Sequence, residues 1–377
     1  MGAKFQRIQR KGRGILFVFL VLGLIVGYQL GFMVGAERPT DDFLTMVYSS
    51  EKEGWIGDLI VPFKEWYFQH FNRTISVNFR SMGSLEMVVA LQTGEIKPMI
   101  WSPASELQVG FCNAAIPNII NYSNVRSFIY SPTVIGVWSD SRYVNMTGFE
   151  DLRQFARNYS LRFAHTDPRL SNSGYTGVLM EIAAYFNSTM HAFYNASQIV
   201  LANLTDANHI NDNLANWLRD IEKAAVYYGT STGYLAKKAR TDYDVFYVYE
   251  NLIIDLNRES TVQKRAIAIY PKEGLFLNRH PFCILNAPWV TPHDTEVAQR
   301  YLEFMGLNSS INQAFKRGFR PLDSSILANS TYNQTFQQYF NAQYGVSYAP
   351  PMLIHGVPTD PLVLQYVPDV WLDVRAE

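Results

Sequence analysis

The segment His165–Gly177, HTDPRLSNSGYTG, separates two apolar runs and is rich in hydroxyl, amide and glycine residues. LRFA precedes it and VLMEIAAYF follows it, which is the pattern of a buried strand leading into a helix. Turns of this kind usually need only about two to six residues. The surplus of polar groups therefore predicts that this junction faces a ligand, through Asp167, Ser171, Asn172 and Ser173.

Three earlier segments place polar groups at the same structural position. Each follows a strand pattern, FLTMVYS, ISVNFR or PMIWS, and precedes a helical pattern. This alternation predicts an α/β protein with parallel strands and right-handed crossovers. Ligands bind such sheets at the carboxyl ends of the strands, where helix N-termini offer unpaired N–H groups. One such polar cluster alone is an ordinary helix cap. Four of them, counting the junction at 165–177, predict a single ligand site. Its further members are Ser49, Ser50, Glu51, Lys52, Gly83, Ser84, Trp101 and Ser102.

Two later segments are candidates for the same site. YYGTSTGYLAKK places Ser231 and Thr232 before a helix. VYENL places Tyr249, Glu250 and Asn251 within an apolar run that we predict to be a strand over 243–255. A carboxylate buried in a sheet is costly unless it is paired. Glu250 is therefore expected either at the cleft or in a structural ion pair.

The first 36 residues predict a membrane anchor. Residues 1–14 carry five basic side chains and no acid. The run 15–34 carries no charge, and a helix of its length is long enough to cross a hydrocarbon layer about 30 Å thick. We expect a cytoplasmic basic segment over 1–14, a transmembrane helix over 15–36 and an extracellular remainder. A cleaved signal peptide ending at residue 36 is the alternative. Glycines at every fourth position would let this helix pack against an ABC permease or another membrane protein, namely Gly23, Gly27, Gly31 and Gly35.

Ten Asn-x-Ser/Thr sequons, more than composition alone would give, indicate a glycosylated extracellular protein. An archaeal cell surface fits this pattern. The two cysteines, Cys112 and Cys283, can either pair in an oxidising exterior or remain buried thiols. The predicted acceptor asparagines are Asn72, Asn121, Asn145, Asn158, Asn187, Asn195, Asn203, Asn308, Asn329 and Asn333.

Charge and motif content exclude several classes of function. Five of the 32 basic residues but none of the 33 acidic ones precede residue 37, so the predicted exterior part is acidic and nucleic acid is not an expected partner. The sequence has no His-Glu-x-x-His, Gly-x-x-x-x-Gly-Lys or Cys-x-x-Cys motif. His165 and Asp167 have no nucleophile assigned to them. We therefore expect no enzyme, no metal site and no cofactor.

Eight segments between residues 43 and 321 together resemble one family. In order they are SSEKEGWI, GEIKPMIWSPAS, HTDPRLSNSGY, YGTSTGYL, VYENLII, IAIYPKEG, HPFCILNAPWV and GFRP. They are similar to the motifs of extracellular solute-binding proteins of the type 2 periplasmic-binding-protein fold, related to molybdate and sulfate receptors and often fused to a von Willebrand factor A domain. PTDPLVLQYVPDVW is similar to the segment that leads into that domain, but the sequence has no Asp-x-Ser-x-Ser metal motif.

The resemblance implies two α/β lobes, joined by crossing strands, that close on a solute. We expect a first lobe over 37–138, a second lobe over 139–275, a return to the first lobe over 276–322 and a loop-rich C-terminal extension over 323–377. The positions that the resemblance places against ligand are Ser49, Ser50, Ser84, Ser102, Asn172 and Ser173.

The expected function is a membrane-anchored extracellular receptor that captures a small polar solute for an ABC-type importer. Hydroxyl groups and helix N-termini favour an oxyanion. The acids Glu51, Asp167 and Glu250, with Trp55 and Trp101, would instead suit a cation. The alternative function is a cell-surface glycoprotein scaffold, or an assembly subunit of a membrane complex, that retains the binding-protein fold.

Overall fold

The computed structural model describes residues 42–206, 209–258 and 264–375. The predicted basic segment and transmembrane anchor, residues 1–36 with their four spaced glycines, lie outside these ranges. Within the ranges, no helix combines the length and the apolar character that crossing a bilayer requires. The prediction of a single-pass membrane localisation is corrected on this finding.

Strands and helices alternate along most of the described chain. The strands are β1 Asp42–Ser49, β2 Ile75–Met82, β3 Ile100–Ser102, β4 Ile120–Arg126, β5 Ile129–Trp138, β6 Phe163–Thr166, β7 Thr205–Asp206, β8 His209–Ile210, β9 Ala225–Gly229, β10 Val245–Tyr249, β11 Ala266–Ile269, β12 Leu277–Asn278, β13 Phe282–Leu285 and β14 Arg320–Pro321. The helices are α1 Glu53–Phe71, α2 Ser84–Gln92, α3 Leu107–Ala115, α4 Phe149–Asn158, α5 Asn172–Met190, α6 Leu201–Leu204, α7 Asp212–Glu222, α8 Thr232–Asp242, α9 Glu250–Arg258, α10 Pro292–Met305, α11 Asn308–Lys316, α12 Ser330–Tyr339 and α13 Pro361–Val374.

The first lobe is built on a five-stranded sheet in the order β2-β1-β3-β13-β4. β1 pairs in parallel with β2 and β3, whereas β13 is antiparallel to β3 and β4. Apolar side chains fill both faces of this sheet. Trp55, Phe63 and Tyr301 belong to one core cluster, and Met87 and Trp101 belong to the other.

The second lobe is built on a sheet whose main path is β11-β5-β10-β6-β9. β6, β9 and β10 are parallel, and β5 runs antiparallel to β10. Helices again cover both faces, which bury Phe163 and Tyr247 on one side and Phe246 and Ile253 on the other. Each lobe is thus a sheet between helical layers, as the alternating sequence pattern predicted.

Strand β5 is the crossing element between the lobes. Its first residues pair with β14 and β12, through Tyr130 with Arg320 and Pro132 with Leu277. Its later residues pair with β10 and β11 inside the second lobe. The lobes are therefore linked by paired strands, which fixes the side on which their strand ends face each other.

Two local predictions are wrong. The run over 243–255 is a strand only to Tyr249, and a helix begins at Glu250. The segment from 323 is not loop-rich, because it contains α12 and α13. Helix α13 buries Val363, Val367 and Trp371 in the large core of the second lobe.

Candidate functional site

The polar junctions of the two lobes meet directly. Ser50 Oγ in the turn after β1 lies 2.7 Å from Ser231 Oγ, the N-cap of α8, and it accepts a bond from Gly233 N at 3.3 Å. At the start of α2, Leu85 N and Glu86 N donate to Leu170 O of the second lobe at 3.1 and 3.2 Å. The junctions converge because both sheets turn the carboxyl ends of their parallel strands toward the same gap.

Gly83 lies where the lobes approach most closely. A Cβ atom added there would be 2.8 Å from Leu170 O and 2.9 Å from Thr230 O, both in the second lobe. Its neighbour Ser84 is buried and accepts a hydrogen bond from Ala104 N at 3.1 Å. A side chain at residue 83 is therefore incompatible with this closed arrangement.

The second-lobe hydroxyls form one buried cluster. Thr232 Oγ1 lies 3.1 Å from Ser171 Oγ and 2.7 Å from Ser173 Oγ, and Ser173 Oγ lies 2.8 Å from Thr166 Oγ1. Each hydroxyl of this cluster has a partner within the protein. Asp167 lies beside them and forms an ion pair with Arg169, in which Oδ2 and Nη2 are 2.5 Å apart.

Asn172 is the central cross-link of the site. Its Oδ1 accepts from Gln108 Nε2 of the first lobe at 2.6 Å. Its Nδ2 donates to the hydroxyl of Tyr249 at 2.9 Å and to Asn278 Oδ1 at 2.7 Å. Gln108 lies in α3, Tyr249 ends β10 and Asn278 lies in β12, so one amide joins both lobes and the returning strand β12.

A buried charged group lies behind this contact, in the first lobe. Lys52 Nζ donates to Ser102 O at 2.8 Å, Ser102 Oγ at 2.7 Å and Pro103 O at 2.9 Å. Ser102 Oγ itself donates to Pro281 O at 2.8 Å. The Ser102 hydroxyl is thus occupied both as a donor and as an acceptor in the closed form.

Glu51 neutralises part of this charge. Its carboxylate accepts from Ser49 Oγ, and its Oε1 lies 3.2 Å from His280 Nδ1. Burial alone would raise the pKa of Glu51, but His280 and the charge of Lys52 hold it below its ordinary value. Burial lowers the pKa of His280, which Glu51 partly offsets.

The pKa of Lys52 predicts a pH-dependent stability. Burial lowers it from 10.5 to about 7, against the opposing charge of Glu51. Because this value lies below the unfolded one, the unfolded chain binds more protons between about pH 7 and pH 10, and the free energy of unfolding should rise with pH there. In Lys52→Met this part of the rise should be lost. Urea unfolding of both proteins at about pH 7 and pH 9.5 measures the difference. The same increase in the free energy of unfolding with pH in both proteins would contradict the prediction.

Three other predicted site residues, Glu250, Asn251 and Trp101, are held inside the protein. Glu250 pairs with Arg320, with Nε–Oε2 at 2.6 Å, so it forms the structural ion pair rather than facing the cleft. Asn251 Nδ2 donates to Glu51 O at 3.2 Å across the lobes. Trp101 is completely buried in the first-lobe core, as is Trp55, so neither ring is available for stacking on a solute in this form.

A groove of about 820 Å³ opens between the lobes beside the Ser50–Ser231 contact. Its volume falls within the usual range of about 300–1,000 Å³ for small-molecule sites. Ion pairs cross or border it, with Lys237 Nζ 3.8 Å from Glu53 and Arg317 Nε 2.6 Å from Asp58. The charged side chains that line it are Glu51, Glu53, Lys237, Arg240, Asp255, Arg258 and Arg317.

One further sequence pattern lies at this junction. Residues 229–233 read GTSTG and lie between β9 and α8, which is the strand–turn–helix setting of a Gly-x-Ser-x-Gly nucleophile elbow. A nucleophilic serine needs a base within hydrogen-bonding distance. Ser231 Oγ instead contacts Ser50 Oγ and Tyr234 N, and no histidine in the described ranges bonds to it. The motif here caps a helix and joins the lobes.

The structure also bears on metal binding and on the two cysteines. Over the residues that the structure describes, no three His, Cys, Asp or Glu side chains are grouped to hold a metal ion. Cys112 and Cys283 are both free and buried in the same first-lobe cluster. They therefore take the second of the two arrangements that the sequence allowed.

No protein-family model and no curated protein matches this sequence. Solved structures do share its fold. The sulfate-binding protein SubI from Mycobacterium tuberculosis is 15% identical, with a TM-score of 0.57 over 81% of this chain and 96% of that one. A periplasmic thiamin binding protein is 13% identical, with a TM-score of 0.59 over 89% and 96%. The periplasmic binding protein AfuA from Actinobacillus pleuropneumoniae, with fructose-6-phosphate bound, is 12% identical, with a TM-score of 0.55 over 88% and 98%.

These similarities define the fold of the chain. It is a mixed α/β fold of two lobes, the periplasmic-binding-protein fold found in the solute-binding proteins above. The fold that the eight sequence segments predicted is confirmed. At these identities the similarity carries the architecture alone, and the von Willebrand connection stays a prediction.

Proposed function

We propose that this chain is a solute-binding protein that captures a small polar solute between its two lobes and delivers it to an ABC-type importer. One observation carries the proposal. Hydroxyl and N–H groups at strand-to-helix junctions of both lobes converge on one contact, which is bordered by the interlobe groove. Such junctions are where open α/β sheets bind ligands.

The bonds between the lobes indicate how a solute would be held. In the closed form, the N–H groups of Leu85 and Glu86 at the start of α2 donate to a carbonyl oxygen of the second lobe, Leu170 O. Ser50 Oγ likewise accepts the bond from Gly233 N in α8. When the lobes part, these N–H groups and the Ser50 and Ser231 hydroxyls become available together. An oxygen-rich anion can then replace the protein's own oxygens between them.

An oxyanion is therefore the class of solute that we favour. Helix N-termini stabilise negative charge through unpaired N–H groups and the helix dipole. Two of the similar proteins are described with such ligands, sulfate and fructose-6-phosphate. The predicted cation site is less well supported, because Glu250 is paired with Arg320 and Glu51 contacts His280.

A thermal-shift screen of the purified protein tests this function. Oxyanions, sugar phosphates, amino acids, polyamines and neutral sugars form the panel. A solute at a hundred times its dissociation constant should add about 2.7 kcal/mol to the free energy of unfolding. We expect an increase with at least one oxyanion, and the increase should be smaller in a Ser50→Ala/Ser231→Ala variant. An unchanged melting temperature across the panel would contradict a receptor function.

A scaffold function is the second candidate, and the closed contact itself favours it. The lobes bond directly to each other, and the side chains of Ser102, Asn172 and Lys52 form hydrogen bonds with other protein groups. A scaffold would hold this closed shape permanently. A receptor must open, so small-angle scattering of the solute-free protein distinguishes the two by whether a more extended form is populated.

A further inference from the structure

The ten sequons are distributed unevenly with respect to the cleft. In each lobe the parallel strands end, and the following helices begin, at the cleft. The opposite edge of each lobe, where parallel strands begin and helices end, is called here the distal pole. The cleft junctions are helix N-termini, whereas several sequon asparagines lie at helix C-termini or strand starts.

In the first lobe, two sequons lie at the distal pole. Asn72 is the residue that follows the last turn of α1, just before β2 begins. Asn121 lies at the start of β4. Since β3 and β4 are both antiparallel to β13, β4 runs in the same direction as β3, and its start is at the edge opposite the cleft.

In the second lobe, three exposed sequons lie toward the corresponding pole. Asn158 is the last residue of α4, and Asn145 lies in the loop that leaves β5 at the edge where β10 begins. Asn203 lies in α6, whose first residue Leu201 donates its N–H to Asp360 at 2.9 Å, at the N-cap of α13. The far end of that helix contacts Arg169 near the cleft through Trp371.

The groove between the lobes has no sequon asparagine in its lining. The helices whose N-termini form the contact, α2 and α8, carry none. Asn308 and Asn329 border a separate cavity of about 430 Å³. Ser127 and Phe128, which directly precede the crossing strand β5, also line this cavity. Solute access is therefore free of acceptor asparagines.

We propose that N-linked glycans occupy the five exposed asparagines of the distal poles and leave the cleft bare. All five side chains are exposed, as a transferase requires. In the transfer, the asparagine Nδ2 bonds to the anomeric carbon of a lipid-phosphate-linked oligosaccharide. The bond from that carbon to the phosphate oxygen breaks, the lipid phosphate leaves, and the displaced amide proton passes to a base of the transferase. The acceptors are Asn72, Asn121, Asn145, Asn158 and Asn203.

Asn187 is a sequon asparagine whose side chain is held by the fold. It lies near the end of α5, but its Nδ2 donates to Glu273 O at 2.6 Å and its Oδ1 accepts from Tyr194 N. A glycan on Nδ2 would disrupt a bond that holds α5 against the loop after β11. The structure therefore assigns Asn187 as an unmodified sequon.

Glycopeptide mass spectrometry of the full chain, produced in a host that glycosylates exported proteins, tests the assignment. We expect glycan at the five acceptor asparagines and none at Asn187. Bare acceptor asparagines, or an Asn187 occupied as fully as they are, would overturn the proposal. In a variant with all five changed to glutamine, the pole glycans should be lost while any solute-induced thermal shift is unchanged.

This test is independent of the receptor function. If the screen finds no solute but the glycans lie as assigned, the glycan proposal stands and only the receptor function fails. If a solute binds but the poles are bare, the reverse holds. A five-site variant that loses its solute response would contradict the placement of these sites away from the cleft.

Discussion

Replacing Arg320 with methionine should lower the free energy of unfolding by about 3–5 kcal/mol, because it leaves a buried carboxylate without its counter-ion. The guanidinium of Arg320 pairs with Glu250 through Nε–Oε2 at 2.6 Å and Nη2–Oε1 at 2.8 Å. It also donates to Tyr348 O at 2.8 Å and Ser347 O at 2.7 Å. The pair thus joins β14, the start of α9 and the C-terminal segment beside the crossing strand.

The matched control for this prediction is Arg162→Met. Arg162 pairs with Asp244 with the same two-bond geometry, at 2.8 and 3.3 Å, but half of its side chain is exposed. Water screens such a pair, so its loss should cost only about 0–1 kcal/mol. Urea unfolding of both variants gives the comparison. Equal losses would contradict the structural role assigned to Glu250.

Replacing Gly83 with alanine should force the lobes apart. The new Cβ would lie 2.8 and 2.9 Å from two carbonyl oxygens of the second lobe, Leu170 O and Thr230 O. The backbone itself permits alanine, since φ is −67° and ψ is 143°. The strain is therefore between the lobes, and opening relieves it. We expect a larger radius of gyration by small-angle scattering and a loss of stability of about 1–3 kcal/mol, as for an overpacked site.

Gly57→Ala is the control for this variant. Gly57 lies within α1 of the same lobe, and a Cβ there meets no atom within 4 Å. Alanine favours a helix over glycine by about 0.5–1 kcal/mol, so this variant should keep the closed scattering profile and be slightly more stable. If Gly83→Ala scatters like Gly57→Ala, the close approach of the lobes at Gly83 is wrong.

The architecture was predictable because it follows from the order of strand and helix patterns. Once the strands are parallel, the ends that carry Ser50, Ser84 and Ser231 must lie on the cleft side. No details of contact were needed for that conclusion. The eight family-like segments added the two-lobed arrangement that the solved structures confirm.

Burial and pairing at the site were not predictable. Lys52 is predicted to line the site, but its burial depends on acceptors at Ser102 and Pro103, which lie 50 or more residues away in the chain. The strand VFYVY runs without a break into ENLII, so apolar character continues across the true boundary at Glu250. Its partner Arg320 is 70 residues distant, and only the tertiary fold brings the two together.

The C-terminal helix was missed for a local reason. Prolines such as Pro361 and Pro368 are typical of loops, but proline also suits the first turn of a helix, where Pro361 lies. Val363, Val367 and Val370 recur at helical spacing and are all buried. That periodicity was present in the sequence and was a better guide than the prolines.

Hydrogen–deuterium exchange, with and without the solute found by the screen, tests most directly whether both lobes grip one solute. We predict slower exchange at the N-terminal turns of α2 in the first lobe and of α5 and α8 in the second, all at the same solute concentration. Protection confined to one lobe, or to segments away from these junctions, would contradict capture between the lobes.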